Sequence, residues 1–263
     1  MNQKDIFRDL SLLASFCFCL ISAGLGQGET AQSSAPPVDC LILHQVHTFP
    51  AIIGGQPQTS KVVSYFADNS MKQEREDGNE IIVRLDEKKV YVVNNNQKSY
   101  AATTIEEFEK LIKDGLAEFS ASETVSALEK STGQKVGEGK VVRQGPGEQI
   151  AGYSTERYVV TGPVEFQLWV ASTIEPPASY YEAFRVALPL NPLLEISNLS
   201  ADLKTIRGVV LKRTWVLKSQ GKSMETSTAV TSVERRPVAR STFEVPAGYK
   251  AEGPGAPPND PLP

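Results

Sequence analysis

The segment from residue 81 to residue 100 constrains the fold more than any other part of this chain. Three of its apolar side chains share one face with a period of two: Ile81, Val83 and Leu85. The charged residues 86–89 and the asparagines 94–96 separate this run from further β-branched and aromatic residues. Short polar turns between such runs are typical of an antiparallel meander. The segment therefore predicts adjacent strands of an antiparallel sheet.

Much of the remaining chain repeats this pattern, with glycine, proline and asparagine between the runs. Further strands are predicted at residues 38–48, 60–67, 71–75, 137–144, 150–161, 164–172, 208–218, 223–235 and 241–245. In the run 208–218, one face is predicted to carry Val209, Leu211, Trp215 and Leu217, with Arg213 among them. Together these runs predict about ten or eleven strands in one sheet.

Two segments depart from the strand pattern and predict helices. Between residues 103 and 131, apolar residues recur every three or four positions: Ile105, Phe108, Leu111, Ile112, Leu116 and Phe119. Thr104 followed three residues later by Glu107 predicts a capping box at the start of this helix. A shorter helix is predicted from Tyr180 to Leu190, ended by prolines.

A sheet of this size has to curl, and the apolar stripe of a helix has to pack against it. The predicted fold is therefore mainly β (α+β), with a curved antiparallel sheet forming an incomplete barrel and helices covering its concave face. We expect one such domain over residues 38–250, preceded by a flexible linker at 27–37 and followed by a disordered, proline-rich tail at 251–263.

Residues 1–26 predict a cleaved signal peptide, since an apolar run ends in small residues after a leader with Lys4 and Arg8. An uncleaved anchor helix is the alternative, although the run is short for a membrane span. Cleavage would remove Cys17 and Cys19 and leave Cys40 alone, which excludes an intrachain disulfide. The chain is then secreted across the inner membrane and is periplasmic or envelope-associated.

The chain offers little that predicts catalysis, metal binding or a cofactor. Its net charge of -4 argues against a nucleic-acid partner. Its only histidines, His44 and His47, are three apart on a predicted strand and should point to opposite faces. No nucleophile elbow or phosphate-binding loop is evident. We therefore expect no cofactor, no metal and no enzymatic activity; a hydrolase that uses either histidine is a less favoured alternative.

The remaining candidates for function are apolar side chains. Large apolar residues usually fill a core, but a curled sheet under a loose helical cover can also enclose a ligand cavity. The period-two faces predict a cavity lined by Ile81, Val83, Leu85, Phe166, Leu168, Val170, Leu211, Trp215 and Leu217.

Three strings in the chain carry a resemblance to a known fold family. They are residues 86–91 followed by 98–100; residues 150–153 followed by Tyr158 and 166–170; and residues 242–249. In this order they resemble the "D-x-K-K-x-Y … K-x-Y", "I-A-G-Y … Y … W-V" and "F-x-V-P-x-G-Y" segments of exported bacterial proteins with a LolA/LolB-like, lipoprotein-carrier-like fold. The resemblance covers about residues 38–250. It is nearest to uncharacterised envelope proteins of that fold, and it implies an unclosed barrel with a helical lid over an apolar cavity.

These observations predict a non-enzymatic periplasmic or envelope protein that binds a hydrophobic ligand: a lipid, an acyl chain or a lipidated polypeptide. The alternative is a protein–protein interaction or sensor module of the envelope that has no small-molecule ligand.

Overall fold

The computed structural model describes residues 36–49, 57–120, 126, 129–130, 133, 140–161, 164–186, 206–219 and 222–252. The predicted signal peptide lies outside the described residues. So do most of the predicted linker, the tail beyond residue 252, and the ends of both predicted helices at 121–125 and 187–190.

The described residues form twelve strands in a single sheet, one or two more than the sequence predicts. The strands are β1 (Val38–Phe49), β2 (Gln58–Ala67), β3 (Ser70–Arg75), β4 (Asn79–Arg84), β5 (Lys89–Asn94), β6 (Ser99–Thr104), β7 (Val141–Pro146), β8 (Glu156–Val160), β9 (Val164–Ala171), β10 (Val209–Ser219), β11 (Lys222–Val238) and β12 (Lys250–Ala251). Their order is β12-β6-β5-β4-β3-β2-β1-β11-β10-β9-β8-β7. The two outermost strands do not pair with each other, so the sheet is curved and open, as predicted.

All neighbouring strands in this order are antiparallel except β12, which pairs in parallel with β6. The predicted meander is confirmed as β4, β5 and β6, with Ile81 opposite Val92 and Val93 opposite Tyr100. The first strand lies in the middle of the sheet: β1 pairs with β2 on one side and with β11 on the other. Val38, near the start of the domain, pairs with Val238, near its end.

The described residues include two helices that pack against the sheet. Helix α1 (Ile105–Ser120) follows β6 directly, and helix α2 (Ala178–Val186) follows β9 after a short turn. The predicted capping box of α1 is confirmed. The Thr104 hydroxyl accepts a hydrogen bond from the Glu107 amide at 3.1 Å, and the Glu107 carboxylate accepts one from the Thr104 amide at 3.0 Å. This exchange satisfies amide groups that the first turn of a helix otherwise leaves free.

We call the helix-covered face of strands β1–β5 the inner face. It carries a buried cluster that includes Leu41, Leu43, Phe66, Met71, Ile81, Val83 and Val90. Phe108 of α1 and Tyr180 of α2 belong to the same cluster and are 5% and 3% exposed. Because a strand alternates its side chains, the residues between these positions point to the opposite, outer face.

The outer face is covered by the C-terminal part of the chain. Cys40, Ile42, Ile82 and Val93 are buried there with Phe243 and form a second cluster. The sequence predicted a strand at residues 241–245, and this prediction is wrong: Arg240–Phe243 is a 3₁₀ helix, and the last strand is β12. The segment crosses the strands and inserts one aromatic ring, so it needs no sheet partner of its own.

Candidate functional site

A cleft opens on the inner face where β10 separates from β11. The ladder between these strands begins at the pair Lys212–Ala229, and residues 209–211 pair with β9 alone or not at all. The cleft has a volume of about 30 Å³ and is lined by Leu43, Gln45, Phe66, Tyr180, Val210, Leu211, Lys212, Arg213, Thr228 and Val230. A space of that size holds about one or two water molecules. It has both an apolar wall and a polar one.

Arg213 provides the charge of the polar wall. It stands opposite Thr228 of β11, which in turn stands opposite His47 of β1, so the three residues form a row across three strands. Its Nε donates a hydrogen bond to the Thr228 hydroxyl at 3.3 Å. Within the part of the chain that is described, no Asp or Glu forms an ion pair with this guanidinium. Burial lowers the pKa of Arg213, because a charged group loses stabilisation when it leaves water.

His47 lies at the other end of this row and is neutral. Its Nε2 is buried and has no hydrogen-bond partner among the described residues. Burial, followed by the nearby charges of Arg213 and Arg75, lowers the pKa of His47 to about 3. The imidazole therefore adds no positive charge to the site at neutral pH.

Neutral polar groups continue the row toward β3. The Gln45 and Gln73 amides both donate hydrogen bonds to the Ser64 hydroxyl, at 3.1 and 3.4 Å. At the bulge of β10, the Tyr180 hydroxyl accepts a hydrogen bond from the Val210 amide at 2.8 Å. This bond satisfies a backbone donor that the β10–β11 ladder does not use.

Lys212, the other cation of the cleft, already has an anionic partner. Its Nζ lies 2.6 Å from the Glu148 carboxylate and 4.6 Å from the centre of the Trp169 ring. These contacts supply both a counter-charge and a cation–π partner. Arg213 therefore differs from its neighbour, since no described residue supplies it with an anionic partner.

The structure distributes eight of the nine predicted lining residues over two clusters. Ile81 and Val83 are buried in the inner-face cluster, Leu85 packs against it, and Leu211 belongs to it. A separate cluster with Ile206 contains Phe166, Leu168 and Val170, with Trp215 packed against it. The side chain of Leu217 lies outside what the structure describes. Only Leu211 of the nine lines the cleft.

A bulge in β10 explains this division. Val210 stands opposite Val170, and Lys212 stands opposite the preceding residue Trp169, so Leu211 is an extra residue in the strand. The sequence predicted that Val209, Leu211 and Trp215 share one face. That prediction is wrong, because the inserted residue reverses the alternation beyond it.

Sequence reasoning also missed the polar residues of the cleft. Gln45 and Thr228 carry no local signal, because they come together only through the pairing of β1 with β11. Arg213 did carry one, since it is the charged residue on the predicted strand face that otherwise carries Val209, Leu211, Trp215 and Leu217.

The two histidines lie on opposite faces, as predicted. His44 Nε2 is 3.0 Å from the Glu234 carboxylate on the outer face, whereas His47 is part of the inner row. Among the described residues, no three His, Cys, Asp or Glu side chains are grouped so that they could hold a metal ion. None of the helices in the described ranges has the length and apolar character needed to cross a membrane.

Several solved structures are similar to this chain at low sequence identity. PNGF-II is 13% identical with a TM-score of 0.39; the match covers 81% of this chain and 31% of PNGF-II. An outer membrane lipoprotein-sorting protein domain from Vibrio parahaemolyticus is 6% identical with a TM-score of 0.29, covering 92% of this chain and 95% of that one. A LolA superfamily protein from Nitrosomonas europaea is 10% identical with a TM-score of 0.27, covering 92% and 97%.

Members of the LolA superfamily are thus among the structures to which this chain is similar, and the predicted resemblance is confirmed to that extent. No curated protein sequence matches the chain. The family described as "Domain of unknown function (DUF4412)" matches residues 57–249, which run from just before β2 to just before β12. Since this match covers well over half of the sequence, the chain belongs to the DUF4412 family.

Proposed function

We propose that this chain is an exported protein of the cell envelope that binds a hydrophobic ligand without catalysing a reaction on it. The ligand is a lipid, an acyl chain or a lipidated polypeptide. The observation that carries the proposal is the inner face: a large apolar cluster on an open sheet, beneath helices α1 and α2. The predicted signal peptide at residues 1–26 supports the location.

Large apolar side chains hold the helical cover against the inner face. Among the described residues, Ile105 and Phe108 of α1 and Tyr180 of α2 pack into the inner-face cluster. Burying an aromatic side chain of this kind contributes about 1.5–3 kcal/mol. An acyl chain that buries a similar apolar area can offset the loss of these contacts when the helices move outward. The cleft of about 30 Å³ marks where such an opening would begin.

Lipid extraction and native mass spectrometry of protein purified from the envelope test the proposal. We expect a bound lipophile, and we expect the stripped protein to take up the neutral dye Nile red. Leu85→Glu, which adds a charge to the inner face, should abolish uptake. Val63→Glu is the matched control, because Val63 is also half-buried but packs into the outer cluster; this variant should retain uptake.

Two results would overturn the proposal. One is a wild-type protein that carries no lipid and takes up no dye. The other is equal loss of uptake in Leu85→Glu and Val63→Glu, which would separate uptake from the inner face. A stoichiometric protein partner in crosslinked envelope extracts, without lipid, would favour an interaction module in its place.

A further inference from the structure

The cleft beside Arg213 has the chemistry of a site for one negative charge. A guanidinium presents five N–H donors, and the structure uses one of them on Thr228. Burying a cation is unfavourable unless an anion or several hydrogen bonds compensate for it. The described residues supply no such anion. A ligand that brings an oxyanion to this position would satisfy the unused donors.

The rest of the polar wall fits the same ligand. Thr228, Gln45 and the Tyr180 hydroxyl are neutral and could hydrogen-bond to an oxygen atom. Lys212 is engaged by Glu148 and does not compete for the ligand. The cleft therefore has one uncompensated positive charge among neutral groups, in a volume that suits a carboxylate or phosphate group and is too small for an acyl chain.

The apolar wall indicates the direction of the remainder of the ligand. Leu43, Phe66 and Val230 line the cleft and belong to the cluster beneath the helices. An acyl chain attached to an anion at Arg213 would therefore lie along the inner face beside Phe66 and Tyr180. The centres of these two rings are 5.1 Å apart.

We propose that Arg213 binds the oxyanion of the ligand, so that the hydrophobic ligand of this protein is an anionic amphiphile held by its carboxylate or phosphate group. This inference rests on the proposed function and narrows its substrate class. It also predicts that Arg213 contributes to ligand binding and does not stabilise the fold.

Displacement of Nile red by matched probes tests the charge. Oleate carries the anion and the chain, methyl oleate carries the same chain without a charge, and inorganic phosphate carries an anion without a chain. For the wild-type protein, we expect oleate to displace the dye at a concentration at least about tenfold lower than methyl oleate, as a buried charge-assisted hydrogen bond implies. Phosphate binding, measured by calorimetry, should be weak.

Three variants assign the preference to a residue. In Arg213→Met, the ratio between oleate and methyl oleate should fall close to one. In Arg213→Lys, which keeps the charge but loses the planar fork, part of the ratio should remain. Arg236→Met is the matched control, since Arg236 lies on the outer face, is exposed and pairs with Glu234; its ratio should equal that of the wild type.

The outcomes separate this inference from the proposed function. Equal binding of oleate and methyl oleate by the wild type would overturn the role of Arg213 and leave lipid binding standing; this comparison needs no variant to fold. Loss of both probes would overturn the proposed function. Phosphate binding that depends on Arg213, with neither oleate nor methyl oleate bound, would support the oxyanion site and identify its source as a free anion. An unchanged ratio in Arg213→Met would overturn the inference.

Discussion

Lys72 is buried and Arg213 is half-buried, on opposite faces of the same sheet, and their partners differ. Lys72 on the outer face lies 2.9 Å from the Glu80 carboxylate and 3.0 Å from that of Glu74. Burial lowers the pKa of Lys72, but the hydrogen bonds to Glu80 and Glu74 outweigh it and raise the pKa overall. Among the described residues, the Thr228 hydroxyl is the one hydrogen-bond partner of Arg213, and burial lowers the pKa of this guanidinium.

The difference separates a structural charge from one that is available to a ligand. The charge of Lys72 is compensated within the chain by Glu74 and Glu80, and Glu80 also accepts a hydrogen bond from the Asn95 amide at 2.7 Å. It can therefore stabilise the meander without any ligand. The site at Arg213 is incomplete within the described chain, as expected of a group that a binding partner completes.

The largest effect that would test this contrast is on Lys72. Lys72→Met leaves Glu80, whose side chain is 10% exposed, without its cation. We expect the free energy of unfolding in urea to fall by about 3 kcal/mol or more, as for other broken buried pairs. The double variant Lys72→Met/Glu80→Gln should recover much of this loss. A change below about 1 kcal/mol in the single variant would show that Lys72 stabilises the protein no more than a surface ion pair does.

The pH dependence of stability tests whether a second positive charge near Arg213, on His47, destabilises the fold. The folded pKa of His47, about 3, lies below its ordinary value of 6.5, so the unfolded chain binds the proton first as pH falls. The stability contributed by neutral His47 is complete above pH 6.5 and is lost as pH falls toward 3. Between pH 7 and pH 5 the wild type should lose about 2 kcal/mol more than His47→Asn. Parallel pH curves for the two proteins would contradict this.

Arg213→Met should have the opposite sign to Lys72→Met. Removing a half-buried cation that lacks a counter-charge among the described residues should raise the free energy of unfolding by about 1 kcal/mol, measured by urea denaturation of the lipid-free protein. Arg236→Met should stay within about 0.5 kcal/mol of the wild type because its ion pair is exposed. Destabilisation by Arg213→Met would mean that Arg213 is structural and that the contrast with Lys72 fails.

The smallest effect concerns the helical cover. Thr104→Ala removes the hydroxyl that caps α1 and should lower the free energy of unfolding by about 1 kcal/mol or less. Because Thr104 is remote from the charge at Arg213, the ratio of oleate to methyl oleate binding should not change. A changed ratio would show that the charge preference depends on the cover as well as on Arg213.

The parts of the fold that the sequence predicts well are those determined by neighbouring residues. Alternation in residues 81–93 identifies the meander, and the capping box at Thr104 and Glu107 marks the start of α1. The pairing of β1 with β11 is not predictable in this way, because its partners are far apart in the chain. Phe243 was misassigned to a strand since one buried aromatic residue also fits a short 3₁₀ helix.

The candidate site is less predictable for the same reason. The hydrophobicity of Ile81, Val83 and Leu168 is enough to predict that each is buried. The bulge at Leu211 is different, because Val209–Lys212 contains no glycine or proline to indicate an inserted residue. The shift at this position determines which side chains meet beneath the helices, and it became visible only from the strand register.

The central place of β1 has a consequence for how the molecule is assembled. The first strand to emerge during synthesis is flanked by β11, whose Val238 stands opposite Val38. The middle of the sheet therefore cannot form until nearly the whole domain has been synthesised, and such distant pairings form slowly. Until then β1 has a partner on its β2 side only, and its other edge stays unpaired.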